Sequence, residues 1–242
     1  MQYSNAYTFR FAAIVTIVCS ILLAGAATLL KPRQEENKIF DKKKNILASV
    51  GIKPKEGQSF SRTEINQIYS QRIKEFVIDR EGNIVEGKKP ADLDPRKDTG
   101  LFPIYENIED GQIVSYIIPV SGKGLWSTIY GYLALEADGQ TVKGITFYAH
   151  GETPGLGGEI EKDWFTSNFA GKKITDENGT IVSIEVIKGK INPGSPEAVH
   201  QVDGISGATI TGKGVENFIK QNLLTYEPFL RQIIQKEGGI NG

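Results

Sequence analysis

The apolar positions divide this chain into stretches of different character. Residues 11–30 read FAAIVTIVCSILLAGAATLL, an uncharged run with Arg10 before it and Lys31-Pro32-Arg33 after it. As a helix such a run rises about 30 Å, enough to cross the hydrocarbon core of a bilayer. A cleaved signal peptide is the competing reading, because Ala24-Gly25-Ala26 has the A-x-A form. Against it, the run exceeds the ~7–15 residues of a signal h-region and continues past that tripeptide to Leu30. A buried core helix is a third reading, weaker still. Leu23-Ala24-Gly25 opens like a lipobox, but Ala26 stands where a lipidated cysteine is needed.

Beyond the span the pattern changes twice. Residues 38–50 place Ile39, Phe40, Ile46, Leu47 and Val50 as in a short helix ended by Gly51. Residues 61–78 carry Ile65, Ile68, Tyr69, Ile73 and Phe76 at near-helical spacing, with Ser61 as N-cap. Residues 79–100 are polar and read as a long connection. From about residue 100, β-branched and aromatic runs at 113–120, 127–137, 142–150 and 180–187 predict strands. Asp138-Gly139 and Asn178-Gly179 suit tight hairpin turns, and a turn suffices to explain the sequon Asn178-Gly179-Thr180. Two helices are predicted: one near 159–169, and one from about Thr211 with Val215, Phe218, Ile219 and Leu223 on one face. Residues 226–236 extend the second or form another. The expected class is α+β: a single N-terminal transmembrane helix, then a mixed α/β domain with an antiparallel sheet. The expected divisions are an anchor at 1–33, a juxtamembrane helical segment and connection at 34–100, and the sheet-bearing domain at 101–242.

Composition narrows the function. With 39% hydrophobic and 24% charged residues, the 242-residue chain is ordinary in make-up. A net charge of −1 gives no basic field, so nucleic acid is not an expected partner. The single cysteine, Cys19, cannot form an intramolecular disulfide and is expected to pack in the membrane as a small apolar residue. His150 and His200, the only histidines, are far apart and give little support to a zinc site or a histidine-centred triad. Basic residues cluster after the span, at Lys31, Arg33, Lys38 and Lys42 to Lys44, with Arg10 alone before it. By the positive-inside rule this bias puts the C-terminal side in the cytoplasm.

The chemistry concentrates in Asp203-Gly204-Ile205-Ser206-Gly207-Ala208-Thr209-Ile210-Thr211-Gly212-Lys213-Gly214, directly ahead of the amphipathic helix. Helix N-termini present unpaired N–H groups and a positive dipole end, and glycines let a backbone approach an anion. Lys213 adds a cation. Two readings stay open on these residues alone: Thr211 is a helix cap, or the loop holds a phosphate. A P-loop is excluded, because Gly214 stands where Ser or Thr would bind Mg²⁺ and the preceding residues make no buried strand.

Asp203-Gly204 followed by Ser206-Gly207-Ala208-Thr209-Ile210-Thr211 resembles the flavinylation motif of the FMN-binding domain family. Gly122-Lys123-Gly124-Leu125-Trp126 and Gly151-Glu152-Thr153-Pro154-Gly155-Leu156-Gly157-Gly158-Glu159 resemble two further segments of that family, in the same order. The likeness is closest to the branch of C subunits of sodium-translocating NADH:quinone reductases. The G subunits of Rnf complexes are the alternative branch, and a non-redox membrane-tethered module is the alternative function. The resemblance implies an electron-transfer flavoprotein carrying FMN covalently, as a phosphoester on Thr211 rather than Thr209. It implies that the activity belongs to a complex passing electrons from NADH towards ubiquinone with sodium export. It also implies Trp126 beside the flavin, Glu152 and Thr153 bonding its phosphate–ribityl region or ring edge, and Leu156 packing on the isoalloxazine. Gly157 would permit close approach, Ser206, Gly207, Ala208 and Thr209 would contribute loop contacts, and Lys188 is either near the flavin or solvated. No catalytic acid or base and no metal is implied. No good base sits beside Thr211 in sequence, so the family's separate flavin transferase would load it. His150 is expected to orient its loop or face water, and Asp203 is a cap or a transferase contact. Other subunits and membrane lipid are the implied partners. The implied location is the bacterial inner membrane, single-pass, with the flavin domain in the periplasm, against the charge count.

Overall fold

The computed structural model describes residues 4–55, 57–94 and 96–240. It separates into two compact units, one ending at Lys42 and the other beginning at Lys43. Helix α1 runs Asn5–Ser49 and contains Pro32. An 18-residue window of it has a mean hydropathy of 2.5 and none of it is buried, so it meets the length and composition of a membrane-crossing helix. The two helices expected at 11–30 and 38–50 are therefore one. The helix continues through Pro32, which can give no N–H to the helix ladder.

In the second unit, α2 (Arg62–Arg72) begins at a reciprocal capping box. The Glu64 amide donates to Ser61 Oγ at 3.2 Å, and the Ser61 amide donates to Glu64 Oε2 at 2.8 Å. The helix expected to reach residue 78 stops at Arg72, and Ile73–Ile78 continues as strand β1. Four more strands follow, β2 (Phe102–Glu109), β3 (Gln112–Lys123), β4 (Thr128–Glu136) and β5 (Val142–Ala149). They form a five-stranded antiparallel meander in the order β1-β2-β3-β4-β5. β1 and β2 did not announce themselves in the apolar pattern. The turn joining β2 to β3 is Asp110-Gly111, both with positive φ (49° and 80°), as a two-residue hairpin requires.

The stretch expected as a helix at 159–169 is broken into a 3₁₀ turn (Gly157–Glu161), one α turn, α3 (Asp163–Thr166), and a second 3₁₀ turn (Ser167–Phe169). This bent path drives Ile160, Phe165 and Phe169 into the core, each with 0% exposure. The strand expected at 180–187 shrinks to β6 (Glu185–Val186), which pairs in parallel with β7 (Gln201–Val202). Ser183, with φ 75°, interrupts it. The last helix, α4, runs Thr209–Ile240 and absorbs residues 226–236.

α4 lies along one face of the sheet. Val215, Phe218, Ile219, Leu223, Tyr226, Leu230 and Ile233 recur at helical spacing and are buried in one cluster with Ile104, Ile118, Val120 and Leu133 of the strands. Each such side chain contributes roughly 1.5–3 kcal/mol on burial. Aromatic contacts set the register: Phe218 meets Phe147 edge-on at 6.3 Å, and Phe229 lies 5.8 Å from both Phe76 and Tyr116. Gly122 leaves room for the helix, since a Cβ there would sit 2.1 Å from Phe218 Cβ. The opposite face is covered by residues 43–50 and α2 through Ile46, Leu47, Ile65 and Tyr69. There the Tyr69 hydroxyl donates to Glu75 Oε1 at 2.6 Å. A sheet stiffened on both faces holds the ends of β3, β4 and β5 against the start of α4.

Candidate functional site

Three segments remote in sequence meet at that corner: the turn between β3 and β4, the loop after β5, and the first turn of α4. The Gly212 amide donates to the Ala208 carbonyl at 2.9 Å, so Ala208 occupies the cap position and Thr211 is the third residue of the helix. The capping reading of the Thr211 hydroxyl is thereby overturned. Thr211 is 1% exposed, and its Oγ1 donates to Glu152 Oε2 at 2.7 Å.

Glu152 is the hub of the corner. Its side chain is 5% exposed and accepts three backbone amides from the β3–β4 turn. Trp126 and Ser127 donate to Oε1 at 3.0 and 3.3 Å, and Leu125 donates to Oε2 at 3.2 Å. Burial alone would raise its pKa, but the Thr211 hydroxyl and the three amides outweigh that and hold the carboxyl below its ordinary range. His150 Nδ1 accepts the Glu152 amide at 3.2 Å, while its Nε2 lies 3.4 Å from Glu161 Oε2. His150 therefore orients the loop that carries Glu152. Gly157 closes the arrangement, because a Cβ at that position would lie 2.6 Å from Thr211 Oγ1 and 3.0 Å from Glu152 Oε2.

Around this pair opens a cleft of about 390 Å³, within the ~300–1,000 Å³ typical of ligand sites. Its lining brings together Trp126, Glu152, Thr153, Leu156, Gly157, Gly207, Ala208, Thr209 and Thr211. Trp126 (70% exposed) and Leu156 (44%) offer apolar surface, and Thr153 presents an exposed hydroxyl. The floor is the start of α4, whose first amides have no intrahelical partner and favour an anion. Leu125 and Ile210 also line the cleft, and the motif reading passed over both. The signal for Ile210 was an apolar residue between two threonines, 63% exposed in the first turn of a helix.

Lys188 and Ser206 fall elsewhere, in an adjoining hollow of about 360 Å³ that shares Gly207, Ala208 and Thr209. Lys213 does not reach the cleft: it pairs with Glu216 at 2.9 Å and approaches Glu185 at 3.8 Å. Asp203 accepts the Ile191 amide at 2.8 Å and pairs with Lys190 at 2.9 Å, so it shapes the 188–191 turn. Among the described residues, no group of three or more His, Cys, Asp or Glu is placed to hold a metal.

The corner coincides with a matched domain: residues 124–223 fit the model of the FMN-binding domain. The chain is 39% identical to the C subunit of the Na(+)-translocating NADH-quinone reductase of Pseudomonas aeruginosa, over 90% of this chain and 91% of that protein. It is 34% identical to the same subunit of Yersinia pestis, over 96% and 94%. It belongs to the family of these C subunits. Crystal structures agree: the C subunit of Parabacteroides distasonis superimposes with a TM-score of 0.71 at 37% identity, over 83% of this chain and 96% of that one. NqrC of Shewanella oneidensis gives 0.69 at 28% identity, over 80% and 96%. In this member of the family the FMN-binding match opens at the turn that fastens Glu152 and ends within α4, so it contains all three converging segments.

Proposed function

We propose that this chain is the FMN-carrying electron-transfer subunit of a membrane sodium-pumping NADH:quinone reductase, with FMN joined as a phosphoester to Thr211. The observation that carries the proposal is the buried Thr211 hydroxyl, clamped to Glu152 at the floor of an apolar-rimmed cleft on a helix N-terminus. The FMN-binding match and the named relatives support the cofactor and the complex.

FMN supplies the redox chemistry when bound, and this chain supplies position and electrostatics. The amides that open α4 would offset the phosphodiester charge, the loop at Gly207, Ala208 and Thr209 would follow the phosphate, and Thr153 would hydrogen-bond the polar side of the flavin. Trp126 and Leu156 would cover its apolar face. Glu152 serves the site by holding Thr211 and the Leu125–Trp126 turn in register, since its carboxylate oxygens are already engaged within the protein. Lys188 and Ser206, in the adjoining hollow, would act on the outer side of the loop.

Residues 1–33 would anchor the chain, residues 101–242 would carry the flavin, and residues 34–100 would join the two. Other reductase subunits and lipid would surround it, and a flavin transferase would load Thr211. The flavin part would lie in the periplasm of a single-pass protein, partner subunits overriding the basic cluster after the span. A C-terminal alkaline phosphatase fusion should be active, and an inactive one beside an active cytoplasmic reporter reverses the orientation. For the cofactor, flavin fluorescence should survive denaturing electrophoresis in the wild type and vanish in Thr211→Ala. A fluorescent Thr211→Ala band overturns the attachment site.

A further inference from the structure

The same pair of residues bears on how the flavin is attached, an inference that rests on the covalent reading above. A threonine hydroxyl is a poor nucleophile until a base takes its proton. Glu152, fifty-nine positions away in sequence, puts a carboxylate oxygen 2.7 Å from Thr211 Oγ1, inside the ~2.6–3.2 Å reach a general base needs. Both residues are buried, at 5% and 1% exposure, and three backbone amides fix the carboxylate. We propose that Glu152 accepts the Thr211 proton when the flavin is attached, and that it stays protonated in the loaded protein.

The donor is a flavin dinucleotide bearing a phosphoanhydride. Thr211 Oγ1 attacks the flavin-side phosphorus. The Oγ1–P bond forms, the anhydride P–O bond breaks, and its electron pair leaves with the nucleoside monophosphate. The hydroxyl proton passes to Glu152 Oε2, and nothing is oxidised or reduced. A weakly basic carboxylate can serve when it is well positioned, as an aspartate accepts the substrate hydroxyl proton in protein kinases.

The product dictates the second half of the proposal. Once Thr211 Oγ1 is an ester oxygen it has no proton to give, and an ionised Oε2 beside it would face a lone pair and a phosphodiester charge. A proton on Oε2 reverses the bond: Oε2–H donates to the ester or to a phosphate oxygen. Oε1 keeps the amides of Trp126 and Ser127. Only the 3.2 Å contact from the Leu125 amide weakens.

The test uses the full chain expressed without flavin transferase, then incubated with purified transferase and FAD, with attachment followed by mass. Glu152→Gln should be loaded about 10²–10⁴-fold more slowly. It should still compete with wild type for the transferase as well as Thr211→Ala does, which separates a lost proton acceptor from lost docking. Formate, but not formamide, should restore part of the rate to Glu152→Ala. The infrared difference between loaded and unloaded wild type should show a new protonated-carboxyl band, a measurement that needs no variant to fold. Loading of folded Glu152→Gln at the wild-type rate, or absence of that band, overturns the proposal. Failure of wild type itself to gain flavin at Thr211 would instead overturn the covalent reading.

Discussion

Replacing Thr211 by Val in unloaded chain removes one hydroxyl and almost no volume, so it isolates the bond to Glu152. That bond is 2.7 Å long and joins groups that are 1% and 5% exposed. A hydrogen bond to a charged group contributes about 1.5–3 kcal/mol. Glu152 keeps three amide donors and is not orphaned, which puts the expected loss near the lower end, about 1.5–2 kcal/mol. In a domain of this size that lowers Tm by roughly 3–8 °C. The pH dependence has a definite sign. The folded-state pKa of Glu152 is depressed, so its contribution is complete above the unfolded carboxylate value and is lost as pH falls through the folded one. Val removes one of the depressing bonds. The gap between wild type and variant should therefore be full at neutral pH and shrink only as pH falls below the unfolded carboxylate value and through the depressed folded one. Thermal melts followed by circular dichroism at several pH values read both quantities. Equal Tm at neutral pH, or a gap that persists undiminished in acid, would mean that Thr211 does not stabilise the fold through an ionised Glu152.

Gly157→Ala should destabilise by about 1–3 kcal/mol through overpacking and reduce covalent flavin sharply, because its Cβ would meet Thr211 Oγ1 at 2.6 Å. Gly158→Ala, whose nearest atom is the Thr153 carbonyl oxygen at 3.1 Å, should be milder in both gel fluorescence and Tm. Trp126→Ala should leave unloaded stability within about 0.5 kcal/mol, as expected of a largely exposed side chain, yet change the flavin absorption band and fluorescence yield of the loaded protein. An unchanged flavin spectrum would remove Trp126 from the site.

The strands β3, β4 and β5 were legible because β-branched and aromatic runs end at glycine or Asp-Gly turns. β1 was not, since Ile73 and Phe76 continue the helical spacing of Ile65 and Tyr69. What decides its conformation is pairing with Phe102–Asn107, a contact that local pattern cannot carry. β2 hid behind Pro103 and the polar Glu106 and Asn107, and its hairpin turn at Asp110-Gly111 went unread. The helix expected at 159–169 failed because Lys162 takes an extended backbone (φ −78°, ψ 146°) between the 3₁₀ turn and α3, although Phe165 and Phe169 keep helical spacing. At the site, the motifs brought most lining residues into view, but as separate segments. They did not reveal that Glu152 faces Thr211 across 2.7 Å, which left the threonine without a visible partner. The phosphate-friendly loop also suggested a cation at Lys213, which local ion pairs with Glu216 and Glu185 draw away.

The most direct measurement is peptide mass spectrometry of the segment from Ser206 to Lys213, taken from the full chain matured in membranes that contain the flavin transferase. The expected result is the mass of FMN in phosphoester linkage, with fragment ions placing it on Thr211. An unmodified Thr211, or flavin on Thr209, would contradict it.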